Sequence, residues 1–187
     1  MDTNQSTIPA LPDPTDVMND YMQDLTSDEL KVLVKKLAWN RGFGCFTRTG
    51  FEEVVWPCIK DQAKWIVYLD IDGMHSLNAD FDTYEPVNKM IHEILEITRD
   101  TDVKAGQLNS GDEILIVLLE TNMRPDMSVD APQRLVGRLV ESFSQKNMSA
   151  TFAIVPVISE DLMKNLEPAV EQVHNIKIKR GWTPRSQ

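Results

Sequence analysis

The sequence predicts an α+β domain: a central, mostly antiparallel sheet with elements in the order βαββαβ, covered by helices. Three features point there. Trp65-Ile66-Val67-Tyr68-Leu69 is a short, β-rich apolar run of the kind that forms a buried strand. The segments Asp102 to Leu108 and Ile114 to Leu119 flank the polar break Asn109-Ser110-Gly111-Asp112, as the arms of a β-hairpin flank its turn. Segments with apolar residues at helical spacing lie before, between and after these strands.

Residues 1–15 hold Pro9, Pro12 and Pro14 among polar residues. We therefore read residues 1–26 as a poorly ordered or partly helical segment, 27–183 as the folded domain and 184–187 as a tail. A helix begins after Thr26, where Thr26-Ser27-Asp28-Glu29 has capping-box spacing. Leu30, Leu33, Val34 and Leu37 give it one apolar face. Asn40-Arg41-Gly42-Phe43-Gly44 breaks it, and a second helical stretch spans Phe51 to Ile59, interrupted or ended near Pro57. The strand at Trp65 ends in Asp70-Ile71-Asp72-Gly73, followed by a polar loop. After Pro86 comes a helix carrying Val87, Met90, Ile91, Ile94 and Leu95. The hairpin and a loop over 120–131 lead to a helix from about Pro132 to Phe143 and a strand from Thr151 to Ile158. An amphipathic helix from about Ser159 to Lys177 closes the domain. There is no internal repeat.

At 187 residues the chain is long enough to bury a sizeable core without disulfides, and 42% hydrophobic with 26% charged residues is a globular composition. The formal net charge of −10 argues against a general binder of nucleic acid or acidic membranes. A small anionic ligand remains compatible where metal ions or a local basic patch offset the repulsion. Cys45 and Cys58 form neither a disulfide framework nor a zinc site. The start lacks a basic n-region and an apolar core, and no apolar run reaches the ~20 residues of a membrane helix. The expected location is the cytoplasm.

Two acidic clusters carry the most chemistry. Asp70 and Asp72 stand where a buried strand emerges, and Asp112 and Glu113 at a hairpin tip. Carboxylates at the ends of two strands of one sheet can converge on a divalent cation, which in turn holds triphosphate oxygens. The competing reading is purely structural: Asp70-x-Asp72-Gly73 starts a turn, and Ser110-Gly111-Asp112 closes a hairpin.

Taken together, the segments resemble the GGDEF domains, the diguanylate cyclases. Leu69-Asp70-Ile71-Asp72-Gly73-Met74-His75-Ser76-Leu77-Asn78 is similar to their D-I-D-x-F-K-x-I-N signature, and Ser110-Gly111-Asp112-Glu113-Ile114 stands at the place of the name motif. Asn40 to Phe51 resembles the opening D-x-L-T-G-L-x-N-R-x-x-F segment, with Gly44, Arg48 and Phe51 in register. His174-Asn175-Ile176-Lys177 takes the place of Y-x-A-K, with Gly181 one residue late for the following G-R. The resemblance covers about residues 27–183.

It implies that Asp70 and Asp112 ligate Mg²⁺ (or Mn²⁺), assisted by the carbonyl of Ile71. Glu113 would lie beside the phosphates and the attacking 3′-hydroxyl, where it orients or deprotonates the nucleophile. The backbone around Gly73, Met74, His75 and Gly111 would face the nucleotide. Asn78 matches the residue that reads the guanine edge. Lys177 matches the phosphate-binding lysine, with Arg180 in the role of the following arginine. The basic residues Lys177, Lys179 and Arg180 also suit a helix C-terminus without any ligand. The implied reaction condenses two nucleoside triphosphates, GTP foremost, into a cyclic dinucleotide across a homodimer. Nothing in the chain resembles a sensor module, so a separate regulatory protein is a possible partner.

Several positions depart from the pattern. Ser110 replaces the first Gly, Ile114 the Phe, and Asn40 the opening Asp. The second guanine-reading Asp falls at Val87 or, with one insertion, at Asn88, which opens the way to adenine. Thr101-Asp102-Val103-Lys104 does not supply the R-x-x-D product-inhibition site, so none is expected. Two alternatives follow: a degenerate nucleotide-binding signalling module, and a minimal palm-type cyclase using ATP. The remaining candidates read as structural. His75, His92 and His174 form no ligand pattern, Cys45 lies in a loop without a supporting base, and Trp39, Trp56 and Trp65 belong to the core.

Overall fold

The structure, a computed structural model, describes residues 26–79, 81, 83–99, 101–106, 108, 111–120 and 130–181. The expectations for residues 1–25, Ser110, the Pro125 loop and the 184–187 tail lie outside these. Two compact units divide between Lys36 and Leu37. In the first, helix α1 (Ser27–Ala38) starts at the expected capping box: the Thr26 amide donates to Glu29 Oε2 (2.9 Å) and the Glu29 amide to Thr26 Oγ1 (3.4 Å). Among the described residues, no helix is long and apolar enough to cross a membrane.

The second unit is a six-stranded sheet. Its strands are β1 (Trp39–Asn40), β2 (Cys45–Phe46), β3 (Ala63–Ile71), β4 (Val103–Gly106), β5 (Glu113–Leu119) and β6 (Ala150–Pro156), in the spatial order β1-β2-β4-β5-β3-β6. All pairings are antiparallel except β2 with β4. The helices are α2 (Arg48–Gly50), α3 (Trp56–Ile59), α4 (Met74–Ala79), α5 (Glu85–Leu95), α6 (Ala131–Gln145) and α7 (Leu162–Lys179). The predicted α+β class and the βαββαβ order therefore hold.

The central strand β3 reads as a continuous apolar run because both of its faces are covered. Val67, Leu69 and Ile71 pack with Ile114, Ile116 and Leu118 against α5 and α6, through Val87, Ile91, Ile94, Leu139 and Phe143. On the other face Ile66 and Tyr68, with Leu115, Val117, Ala153 and Val155, meet Leu166, Ala169 and Val173 of α7, together with Phe51 and Trp56. The result is helix, sheet, helix in three layers.

The structure corrects the sequence reading in five places before β3. The stretch expected only to break the first helix is a small hairpin, β1–β2, which attaches to the sheet edge through Phe46 beside Ala105. Strands two residues long give no alternation to detect. Cys45 is consequently a buried strand residue, and burial pushes its thiol up to about 12. Trp39 is 37% exposed rather than core, its ring edge-on to Phe46 at 5.1 Å. Leu37, expected on an apolar face, is 63% exposed, and Ala38 takes the buried position instead. Pro57 interrupts nothing: a π turn over Phe51–Val55 joins α2 to α3 and sets the proline in the first turn of α3. The helical backbone continues into α3, the Trp56 amide donating to the Phe51 carbonyl.

A further helix, α4, occupies the expected polar loop. Gly73 ends the strand with φ +68°, and its carbonyl accepts from the Leu77 amide at 3.0 Å. Only Met74 and Leu77 mark an apolar side on this six-residue helix, too little periodicity to read.

Helix α2 is capped by Thr47, whose Oγ1 accepts from the Gly50 amide (3.1 Å) while its hydroxyl donates to the Leu37 carbonyl (3.1 Å). Gly50 then lies against Ala38 so closely that a Cβ would fall 2.7 Å from the Ala38 carbonyl oxygen. Neither neighbour is a flexible side chain that could yield. Gly50→Ala should therefore destabilise the domain by about 1–3 kcal/mol, read as a lower urea midpoint. An unchanged midpoint would contradict this packing.

Candidate functional site

The sheet register assembles the acidic residues. Asp70 on β3 stands opposite Glu113, the first residue of β5, and opposite Thr151 on β6. The next two amides are held from both sides: Ile71 donates to the Asp112 carbonyl (3.0 Å) and Asp72 to the Ser149 carbonyl (2.9 Å). The ends of β3 and β5 thus bring Asp70, Asp112 and Glu113 to one edge of the sheet. The Ile71 side chain is buried in the core, so only its backbone can serve the site.

The last turn of α7 meets this edge. Lys177 Nζ donates to Asp70 Oδ1 and lies 3.7 Å from Asp72 Oδ1; Arg180 Nη1 is 3.8 Å from Asp72 Oδ2. Asp72 is itself held by the hydroxyls of Thr151 (2.9 Å) and Ser149 (3.0 Å), and Arg180 Nη1 donates to Thr151 Oγ1 (3.1 Å). Asp72 is thus the anchor that sets both cations beside the carboxylates. A cleft of about 710 Å³ lies over this network, lined by Asp70, Asp72, Asp112 and Glu113, both cations, and Gly73, Met74 and His75.

Burial pushes the Asp70 carboxyl up to about 6; Lys177 opposes the shift, and Asp112 and Glu113 add to it. Among the described residues no group of three or more His, Cys, Asp or Glu side chains could by itself hold a metal ion.

A second pocket, about 490 Å³, adjoins the first and shares Met74, His75 and Asp112 with it. Its other walls are Phe43, Asn78, Tyr84, Asn88 and Gly111. Asn78 sits on α4, and its Oδ1 is buried without a hydrogen-bond partner among the described residues. Of the two positions open at the start of α5, Val87 is fully buried in the core, and Asn88 faces the pocket. Every site residue predicted from the sequence therefore lines one of the two cavities.

Sequence reasoning missed three things here. His174 reads from sequence as an ordinary polar or helix-face histidine, yet it lines the acidic cleft, as does His75, which the resemblance places there through its backbone. The spacing of His174 three residues before Lys177 on one helix was the available signal. Tyr84 lines the second pocket. An R-x-x-D spacing does exist, at Arg99 and Asp102, just upstream of the tetrapeptide considered. Asp102 is closed on itself: its carboxylate accepts from the Arg99 amide (3.3 Å), Nε (3.3 Å) and Nη2 (3.0 Å), and its side chain is 1% exposed. That pair braces the turn before β4.

No protein-family model and no curated protein matches this sequence. Solved structures do match. Diguanylate cyclase SiaD from Pseudomonas aeruginosa, solved with its activator SiaC, has a TM-score of 0.61 at 15% identity, covering 88% of this chain and 67% of that one. The S helix-GGDEF-EAL portion of Vibrio cholerae LapD, bound to c-di-GMP, has a TM-score of 0.62 at 13% identity, covering 83% and 38%. The coiled coil and GGDEF domain of Caulobacter crescentus DgcB, also with c-di-GMP, has a TM-score of 0.59 at 14% identity, covering 89% and 92%. The chain has the fold of a GGDEF domain, as its motifs implied.

The raised Asp70 has a consequence for stability. Between the ordinary carboxyl range and about pH 6 the folded chain keeps a proton on Asp70 that the unfolded chain has lost. This residue's contribution is therefore complete below about pH 4 and is lost as pH rises through about 6. The urea midpoint of the unmodified protein, relative to that of Asp70→Asn, should fall from pH 4 to pH 6.5. A pH-independent difference would contradict the assignment.

Proposed function

We propose that this chain is a nucleotidyl cyclase: it binds a nucleoside triphosphate with Mg²⁺ or Mn²⁺, and two copies condense their nucleotides into a cyclic dinucleotide. The observation that carries the reading is that two adjoining cavities share Met74, His75 and Asp112, one lined by carboxylates and cations, the other by two carboxamides and two aromatic side chains. A triphosphate suits the first and a base the second.

The donor set fits the metal. Mg²⁺ is typically bound through one or two carboxylates, with substrate phosphates and water completing its coordination, so a third protein carboxylate is unnecessary. Asp70 and Asp112 would hold it with the Ile71 carbonyl, where it supplies polarisation of the phosphate and neutralisation of charge. Lys177, which pairs with Asp70, would turn its hydrogen bonds to phosphate oxygens. Arg180 joins it, held by Asp72 and Thr151. The backbone at Gly73, Met74, His75 and Gly111 lies against the nucleotide. Glu113 accepts the proton of the 3′-hydroxyl as that oxygen attacks the α-phosphorus of the facing nucleotide. The bond to pyrophosphate breaks. Two such steps close the ring and release two pyrophosphates, and each copy supplies half of the site, so the working form is a homodimer. Positioning and charge neutralisation supply most of the rate in such chemistry.

The proposed setting is the cytoplasm, where nucleoside triphosphates are available, with neither nucleic acid nor a membrane as partner. Regulation by a separate protein is part of the proposal; SiaD, of the same fold, was solved with an activator. A binding-only signalling module is the second reading, favoured by Asn40 and Asn88 where the family resemblance places Asp.

Incubation with all four nucleoside triphosphates and Mg²⁺ or Mn²⁺, followed by mass spectrometry, should yield a cyclic dinucleotide. Asp112→Asn should remove the product, and Glu113→Gln should slow its formation by about 100-fold or more with nucleotide binding retained. Metal-dependent binding without product would select the signalling module. Absence of both would refute the site.

A further inference from the structure

We infer that Arg48 is a positioning residue for the acidic turn: its guanidinium holds the backbone just before Gly111 and Asp112, and so fixes where Asp112 stands relative to Asp70. The inference rests on the proposal that these two carboxylates hold a metal with a nucleotide. It adds to that site a residue that lines neither cavity.

The turn between β4 and β5 is tied to other elements at both ends. Towards β4 the strand pairing stops at Gly106 opposite Ile114. Beyond that pair, the Asp112 carbonyl accepts from the Ile71 amide at 3.0 Å. On the other side of the turn, the Leu108 carbonyl accepts from Arg48 Nη1 at 2.6 Å, from a donor 60 residues away in sequence. Because this bond lies past the last rung of the β4–β5 ladder, strand pairing does not duplicate it.

Arg48 is a fixed donor. Its Nε donates to Glu52 Oε1 at 2.9 Å, so one arm of the planar fork is held while the other reaches Leu108. The helix that carries it is itself anchored: the Thr47 amide donates to the Ala38 carbonyl at 2.8 Å, and Gly50 lies against Ala38. Phe51, just after α2, is buried in the same apolar cluster as the Leu108 side chain. Side chain and carbonyl of Leu108 thus both answer to α2 and the π turn that follows.

The bond does more for position than for stability. The Arg48 side chain is 43% exposed, and ion pairs of such groups contribute little to folding free energy. Metal ligands, by contrast, depend strongly on what holds them, and loss of an outer support costs about 10- to 100-fold in metal affinity or activity. Asp70 stands on a strand paired along both edges, whereas Asp112 stands on the turn. Releasing Leu108 would therefore move one carboxylate and leave the other in place.

The test uses the full chain and needs no turnover. In metal-free Arg48→Ala, hydrogen exchange of the Ile71 amide, which reports on the Asp112 carbonyl, should quicken by at least about 10-fold. Exchange at Ile66 to Tyr68, in the middle of β3, should stay as in the unmodified protein. The Mn²⁺ concentration that half-saturates binding of α,β-methylene ATP or GTP, read by calorimetry, should rise by about 10-fold or more. Arg48→Lys, which keeps the charge without the fork, should restore part of both. Should Arg48→Ala fold poorly, Glu52→Ala serves instead: it frees the guanidinium, and should quicken Ile71 exchange alone. Unchanged exchange at Ile71, or exchange that quickens equally along β3, overturns the inference. So does quicker exchange at Ile71 with an unmoved Mn²⁺ requirement. If the unmodified protein binds neither analogue at any Mn²⁺ concentration, the nucleotide reading falls instead, and exchange alone decides whether Arg48 holds the turn.

Discussion

Strand β3 is paired along both edges, to β5 and to β6, from Trp65 to Asp70. Every other feature of the domain follows from that double pairing. It leaves no edge on the central strand and sends Val67, Leu69 and Ile71 to one helical layer and Ile66 and Tyr68 to the other. The same register sets Asp70 beside Glu113. Because side chains alternate, a slip of one residue would turn Asp70 into the layer of α5 and α6 and bring Leu69 or Ile71 into the cleft. Core packing and the geometry of the acidic edge are thus one constraint.

Electrostatics at that edge run against the charge of the whole chain. The protein carries a net −10, yet its main cleft holds Lys177 and Arg180 against Asp70 and Asp72. These cations sit in and just after the last turn of α7, where the helix dipole favours positive charge. Partial burial makes the ionised form of Asp70 costly, and Lys177 offsets only part of the cost. The cleft thus sets a partly compensated carboxylate beside two cationic heads that are held by Asp70, Asp72 and Thr151.

Some residues that look functional are occupied structurally, and the reverse also holds. Arg99 and Asp102 have the spacing of a ligand-binding pair but close a turn. Asn165 is fully buried and ties the approach to α7 together, accepting from the Ile158 and Ser159 amides and donating to the Ser159 and Asp161 carbonyls. His174 and Tyr84, by contrast, face cavities.

The sequence alone determined the strands and long helices, because apolar periodicity is a local property that survives reading one residue after another. It also determined the order of the motifs, and with it the family resemblance and the residues Asp70, Asp112, Glu113, Asn78 and Lys177, which the fold brings to the two cavities. Tertiary structure decided the rest. Two-residue strands and a six-residue helix carry too few repeats for any period, so β1, β2 and α4 emerge only when neighbours pair with them. The phase of α5 chose Asn88 over Val87 for the pocket, since burial of Val87, Ile91 and Ile94 fixes which way the helix faces. The raised Asp70 and its bond to Lys177, 107 residues away in sequence, exist only because the sheet desolvates one and α7 delivers the other. Desolvation and long-range pairing are collective, and no window of sequence contains them.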